Sequence, residues 1–182
     1  MCTKLSRLLH CSLLLGPAIG LLGVLAAPRE HRPPSSPARE AAAPRAPVKD
    51  QANSEIVARV HRLVNEFRVE QGLEPLKLDP IISAEASEHS AEMSRNGDSI
   101  SHRGFKQRLQ EIRKKIPYRA AAENVALNVG YDNPARAAVE GWKKSPDHRQ
   151  NMLGDFSLTG IGIARGKNGG YFFTQIFVHA LK

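Results

Sequence analysis

The apolar residues between positions 53 and 97 recur every three or four positions, which is the spacing of one face of a helix. The first set is Ile56, Val60, Leu63, Val64 and Phe67, and the second set is Ile82, Ala86 and Met93. Capping residues at the ends predict two helices, residues 53–72 and 79–96, the first of which begins at Asn53 or Ser54. We expect the leucines in their connection to pack the two helices together. These are Leu73, Leu76 and Leu78.

The middle of the chain alternates between shorter helical and extended patterns. Residues 104–115 predict a basic helical segment that Pro117 ends, and residues 125–129 suit a short strand or an extended loop. A third long helix is predicted from residue 132 or 133 to Ser145, because a residue before a proline is pushed out of helical geometry.

The C-terminal residues predict a β-hairpin. Residues 159–165 and 171–178 are rich in β-branched and aromatic side chains, and the Lys-Asn-Gly-Gly run at 167–170 supplies left-handed turn residues. Helices come first and paired strands come last, which indicates an α+β fold in which helices cover an antiparallel sheet.

The first 52 residues differ in composition from the rest of the chain. Residues 1–26 combine a basic start, at Lys4 and Arg7, with an uncharged apolar run, and they are predicted to be a signal peptide. An uncleaved anchor is the less favoured alternative, because the run is shorter than the roughly 20 residues of a spanning helix. Residues 27–52, rich in Pro, Ala and Arg, are predicted to be a disordered linker, which leaves residues 53–182 as the folded domain.

The cysteines and the net charge exclude two kinds of function. Both cysteines, Cys2 and Cys11, lie in the predicted signal peptide, so the exported protein would have neither disulfides nor thiol chemistry. Of the formal charge of +8, two units come from the signal peptide and two from the linker, so the domain retains +4. This mild excess of positive charge, without aromatic residues interleaved among the basic ones, argues against a nucleic-acid partner. We expect a monomer without a stable transmembrane segment.

Two histidines and one carboxylate are the candidate chemistry of the domain. His102, Glu123 and His148 each lie beside a turn-forming or strand-forming segment. Two neutral imidazoles and water could hold a divalent metal such as zinc. Glu123 could then accept a hydrogen bond from a metal ligand, or it could act as a base for the bound water. The spacing is not diagnostic, since it lacks the i, i+4 histidines of a helical zinc motif. The alternative is that each histidine is a hydrogen-bonded structural residue.

Ser145 offers a different interpretation of the same region. Its position beside His148 suggests a nucleophile with its base, whereas a serine before a proline is usually a cap or a turn residue.

Six separated motifs resemble those of the CAP superfamily, the cysteine-rich secretory, antigen 5 and pathogenesis-related 1 proteins. They are Asn65-x-x-Arg68 with Gly72-Leu73, Ser101-His102, Ala122-Glu123-Asn124, Trp142-x-x-Ser145-Pro146-x-His148-Arg149-x-Asn151-Met152-Leu153, Gly160-Ile161-Gly162, and Thr174-Gln175-x-Phe177. The resemblance spans residues 53–178 and is greatest to the short, cysteine-free branch common in bacteria. It implies an α-β-α sandwich with a central antiparallel sheet.

The resemblance also implies a cleft lined by two histidines and two glutamates. By motif, His102 is the first histidine, Glu123 the first glutamate and His148 the second histidine, and the two histidines are the metal ligands to expect. Ser145 stands where animal and plant members have the second glutamate, so one carboxylate of a four-residue metal site is missing. The family pattern further implies that Gln175 points into the cleft.

We therefore expect a secreted or cell-envelope protein whose cleft binds a small ligand, a lipid or a cell-wall fragment, with or without a divalent metal. The alternatives are a metal-assisted extracellular hydrolase with Glu123 as its base, which is less favoured, and a wall-associated protein that binds anionic polymers. The last would use a basic face formed by Lys106, Arg108, Arg113, Lys114 and Lys115.

Overall fold

The structure, a computed structural model, describes residues 48–97 and 99–181, which form five helices and four strands. In chain order the elements are α1 (Val48–Glu70), β1 (Lys77–Leu78), α2 (Pro80–Asn96), α3 (Phe105–Arg113), β2 (Tyr118–Asn128), α4 (Pro134–Lys144), α5 (Pro146–Met152), β3 (Leu158–Arg165) and β4 (Tyr171–Ala180). The predicted signal peptide, residues 1–26, and residues 27–47 of the predicted linker lie outside the described residues.

A four-stranded sheet in the order β1-β3-β4-β2 forms the centre, so β2 is an edge strand. β3 and β4 form the predicted hairpin, with Gly169 at a φ of 81° in its turn. β2 pairs antiparallel with the other side of β4, whereas the two-residue strand β1 pairs parallel with β3. The predicted α+β sandwich around a central sheet is confirmed, and the sheet is antiparallel except for β1.

Helices cover both faces of the sheet. α1, α4 and α5 enclose one core, which contains Trp142, Ile161 and Phe173, and α2 and α3 enclose a second core, which contains Ile82 and Ile176. The residues of β3 and β4 alternate between these cores, as the period of a strand requires. Among the described residues, no helix combines the length and the apolar composition needed to cross a membrane.

The predicted packing of the first two helices on one another was wrong. α1 and α2 lie on opposite faces of the sheet. Leu76 is buried with α1, whereas Leu78 is 43% exposed. The connection contains strand β1, which pairs with β3 and thereby carries the chain from one face to the other.

Two glycines of β3 allow α2 to pack closely against the sheet. A Cβ atom at Gly160 would overlap the backbone of Ile82 and Ser83, and one at Gly162 would overlap the backbone of Ala86 and the following residue. The absent side chains therefore determine how near α2 lies to β3.

Three element boundaries differ from the sequence pattern. α1 begins at Val48, five residues before the predicted start, so residues 48–52 of the predicted linker are helical. β2 covers 11 residues rather than the predicted 125–129, because pairing with β4 extends through an alanine run with weak strand preference. Pro146 ends α4 as predicted but also begins α5, since proline is favoured in the first turn of a helix.

Candidate functional site

Glu123 lies near the middle of the edge strand β2, on the sheet face covered by α2 and α3. Its side chain is 1% exposed. Arg108 of α3 donates to both carboxylate oxygens, from Nη2 to Oε1 at 2.9 Å and to Oε2 at 2.6 Å, and from Nε to Oε2 at 3.1 Å. The two side chains form a buried ion pair, and the planar guanidinium fixes the orientation of the carboxylate.

His102, in the loop between α2 and α3, extends this pair to the surface. Its Nδ1 donates to Glu123 Oε1 over 2.9 Å, and 55% of its side chain is exposed. A carboxylate paired with a guanidinium can only accept hydrogen bonds, so the neutral ring carries its proton on Nδ1 and has a lone pair on Nε2.

His148 lies on α5, on the other side of the edge strand. Its Nδ1 and Ser145 Oγ are 2.9 Å apart, and a hydroxyl can donate or accept, so His148 can present either a lone pair or an N–H at Nε2. Burial lowers the pKa of His148, the positive charge of His102 lowers it further, and Asp147 raises it. The ring therefore favours its neutral form, and the two histidines are close enough to interact. We call His102 and His148 the histidine pair.

Two asparagines hold α5 against the edge strand. Asn124 donates to the backbone carbonyl of His148 at 3.1 Å, and Asn151 donates to Asn124 Oδ1 at 2.9 Å. Neighbouring residues of a strand point to opposite faces. β2 thus directs Glu123 toward α3 and Asn124 toward α5, so its adjacent residues bond His102 on one side and the backbone of His148 on the other.

Gln175 does not lie beside the histidine pair. It is opposite Asn124 in the register and is therefore on the sheet face away from Glu123. The residue is wholly buried, and its Nε2 donates to Thr159 Oγ1 at 3.1 Å. The structure therefore places Gln175 in the core of the α1, α4 and α5 layer, on the same sheet face as Asn124.

Arg108 and His89 are site residues that the sequence reasoning missed. Arg108 belongs to the buried side of α3 with Ile112, four residues later, and this spacing is the signal that could have found it. His89 is 2% exposed and its Nε2 donates to the backbone carbonyl of Ser101 at 2.6 Å, so it holds the segment that carries His102.

The predicted basic face on α3 is not a set of free cations. Arg108 is buried against Glu123, Arg113 stacks over the ring of Tyr118 at 4.1 Å, and Lys114 is paired with Glu111 at 2.6 Å. Lys106 and Lys115 remain as exposed charges. Two of these five cations, Arg108 and Lys114, are thus neutralised by carboxylates.

The arrangement limits the chemistry of the site. Both oxygens of Glu123 are occupied by Arg108 and His102, so the carboxylate is poorly placed to accept a proton from a water molecule. Within the described ranges, no group of three or more His, Cys, Asp or Glu residues is arranged to hold a metal ion. Zinc sites in proteins usually have three or four protein ligands. The histidine pair offers two nitrogens, so a cation would fit only with further ligands from water or a bound molecule.

Residues 61–177 match the family model of CAP, the cysteine-rich secretory protein family. The chain is 35% identical over 121 residues to YlbC, an uncharacterized membrane protein of Bacillus subtilis (strain 168), a match that covers 64% of this chain and 32% of YlbC. It is also similar to the crystal structure of an extracellular protein containing an SCP domain from Bacillus anthracis, with a TM-score of 0.62 and 29% identity over 76% of this chain and 45% of that one.

An outer surface protein from Borrelia burgdorferi has the same fold, with a TM-score of 0.61, 20% identity, and coverage of 71% of this chain and 96% of that one. The chain spans about a third of YlbC and less than half of the Bacillus anthracis protein.

Proposed function

The chain belongs to the CAP family of cysteine-rich secretory proteins, and we propose that it is an exported binding protein whose binding site is the histidine pair. The ligand is a small molecule, a lipid or a cell-wall fragment with a polar group that meets the two imidazoles. Export is supported by the signal-peptide pattern of residues 1–26 and by similarity to proteins described as extracellular and as an outer surface protein.

One observation carries the proposal. In both histidines Nδ1 is bonded to a protein partner, Glu123 or Ser145, while no residue in the described part of the chain bonds either Nε2 atom. Metal-binding histidines commonly use this arrangement, in which the ring nitrogen that does not bind the metal is hydrogen-bonded to a carboxylate or another polar group that orients the ring. The two Nε2 atoms are therefore presented for a ligand.

A divalent cation such as zinc is the simplest probe that uses both lone pairs. His102 Nε2 and His148 Nε2 would hold it, and water or the natural ligand would complete its coordination. Bound there, the cation would supply a positive charge that attracts an acidic or carbonyl group. The lowered pKa of His148 supports this role, because a neutral imidazole is the form that binds metals.

The hydrolase alternative is not favoured by the geometry. A general base needs an oxygen or nitrogen within reach of the proton that it removes. The carboxylate of Glu123 is neutralised by Arg108 and is 1% exposed. His148 Nδ1 is bonded to Ser145, and among the described residues no third group bonds and orients His148 Nε2. Ser145 and His148 therefore do not form a nucleophile triad there.

Calorimetric titration of the full chain with zinc at neutral pH tests the proposed site. We expect one saturable site that weakens by about tenfold or more in His102→Ala and in His148→Ala, because each substitution removes one of two protein ligands. Ser145→Ala removes only the hydrogen-bond partner of His148, so this substitution should weaken zinc binding less.

His179→Ala is the matched control. His179 also has its Nδ1 bonded, to the backbone carbonyl of Asp155 at 2.6 Å, but it lies at the end of β4. Zinc affinity should be unchanged in this variant. Unaltered binding in a variant that lacks both His102 and His148, or no saturable binding by the unmodified chain, would contradict the proposed site.

A further inference from the structure

A concave surface lies between the end of α4 and one side of α5. Its volume is about 530 Å³, and three cations, Lys143, Lys144 and Arg149, line it together with the amide side chain of Gln150. No aspartate or glutamate is among its lining residues. We call it the cationic hollow.

Most of this positive charge has no carboxylate partner. Lys143 reaches Glu140 at 3.2 Å. Within residues 48–97 and 99–181, no carboxylate lies within ion-pair distance of Lys144 or Arg149, although Asp155 is nearby in sequence and pairs instead with Arg119. Two of the three cations of the hollow are therefore without a carboxylate partner among the described residues.

An aromatic ring holds two of the cations in place without neutralising them. Lys143 Nζ lies 5.0 Å and Arg149 Cζ lies 5.4 Å from the ring centroid of Phe67 on α1. Arg149 is also 3.4 Å from Gln71 Oε1, a weak contact with an uncharged group. A cation beside an aromatic face keeps its full charge. Like charges gathered in a concave surface with an apolar wall strengthen the local positive potential.

The cationic hollow is separate from the histidine pair. Pro146, Arg149, Gln150 and Leu153 are spaced three and four residues apart, so they share one side of α5. His148 is not among the lining residues of the hollow, and its ring is bonded to Ser145 Oγ. The hollow and the histidine pair therefore use different side chains of α5.

We propose that the cationic hollow binds a phosphate or phosphodiester group. Arg149 offers a planar fork of N–H donors that fits two oxygens of such a group, and Lys143 and Lys144 supply flexible point charges around it. The same chemistry is offered by free phosphate and by a phosphodiester polymer of a cell envelope. This assignment does not depend on the function proposed for the histidine pair.

The test is an NMR titration of the ¹⁵N-labelled full chain with inorganic phosphate and, separately, with linear polyphosphate, at constant physiological ionic strength. We expect saturable shifts of the backbone amides at the end of α4 and along α5. Lys144→Gln with Arg149→Gln should weaken binding by about tenfold or more, since both lost contacts are charge-assisted. Binding of polyphosphate that is tighter per phosphate assigns the hollow to a polymer, and equal binding per phosphate assigns it to the free ion.

A charge-matched double variant, Lys106→Gln with Lys115→Gln, is the control, because it removes two exposed cations from another surface. Its affinity should stay within about twofold of the unmodified chain, as expected for screened, distant charges. Equal weakening in both double variants would show that only net charge matters and would overturn the proposal. No saturable shift in the unmodified chain would overturn it as well.

Discussion

Glu123 orients His102 through a single buried carboxylate. Arg108 neutralises it from one side and His102 bonds it from the other, so the charge never faces solvent. Removing one partner of a buried ion pair typically destabilises a protein by about 3–5 kcal/mol, because the other charge is left without compensation. Glu123 is thus suited to positioning His102 rather than to exchanging a proton with a substrate.

The protonation of His148 can be measured directly. Burial and the charge of His102 both disfavour the imidazolium, so the pKa of His148 should lie below the ordinary value of 6.5. The folded protein then binds this proton less readily than the unfolded chain. The contribution of His148 to stability is complete above about pH 6.5 and is lost as the pH falls below that value.

Two variants should move the pKa of His148 in opposite directions. His102→Gln removes a charge that lowers it and should raise it toward 6.5, whereas Asp147→Asn removes a charge that raises it and should lower it further. The measurement is the ring proton shift of His148 as a function of pH. An unchanged pKa of His148 in His102→Gln would show that the two histidines do not interact, and a pKa at or above 6.5 in the unmodified chain would contradict the effect of burial.

At the scale of elements, the close packing of α2 on β3 determines where the loop that carries His102 begins. Ser90 Oγ of α2 donates to the backbone carbonyl of Gly162 at 3.0 Å, and it lies at hydrogen-bond distance, 2.9 Å, from the hydroxyl of Thr174. These buried bonds form only while α2 lies directly on the glycine positions. The glycines of β3 are therefore structural residues whose effect reaches the site through α2.

Gly162→Ala should destabilise the protein, because the new Cβ overlaps the backbone of α2 and neither element can move without breaking buried contacts. Overpacking of this kind typically costs about 1–3 kcal/mol. Gly141→Ala is the control, since Gly141 is an exposed helical residue with open space where the new methyl group would lie, and alanine should raise stability by up to about 1 kcal/mol. Urea unfolding of both variants measures the difference, and equal midpoints would contradict the close packing.

Elements with local signals could be predicted from the sequence, and those that depend on distant partners could not. Asp79 and Asn133, each followed by proline, cap α2 and α4 as expected, because capping involves only neighbouring residues. β1 consists of two residues, and it is a strand because it pairs in parallel with β3. The longer β2 likewise depends on β4, since its alanine run has little strand preference of its own.

The site residues that depend on distant partners could likewise not be predicted from the sequence. The face of Gln175 could not be inferred from alternation, because residues 172–178 of β4 are all buried and show no polar side. Arg108 looked like a surface cation because its partner, Glu123, comes from another element. His102, Glu123 and His148 could be chosen as candidates from their residue types, but only the resemblance to a family implied a shared cleft, since nothing in their spacing brings them together.

At the scale of the whole molecule, the histidine pair exists only because the edge strand joins two layers. His102 comes from the layer of α2 and α3, and His148 comes from the layer of α1, α4 and α5. β2 contacts both layers through the adjacent residues Glu123 and Asn124. The central claim is that these rings present their Nε2 atoms to one common ligand.

Ring ¹⁵N spectroscopy of the histidines in the full chain, before and after one equivalent of zinc, tests this claim most directly. Before zinc is added, His102 should carry its proton on Nδ1, as its bond to Glu123 requires. With zinc, the Nε2 signals of His102 and His148 should shift together, while those of His61 and His179 stay unchanged. A shift of only one member of the pair, or of a histidine elsewhere, would contradict a shared site.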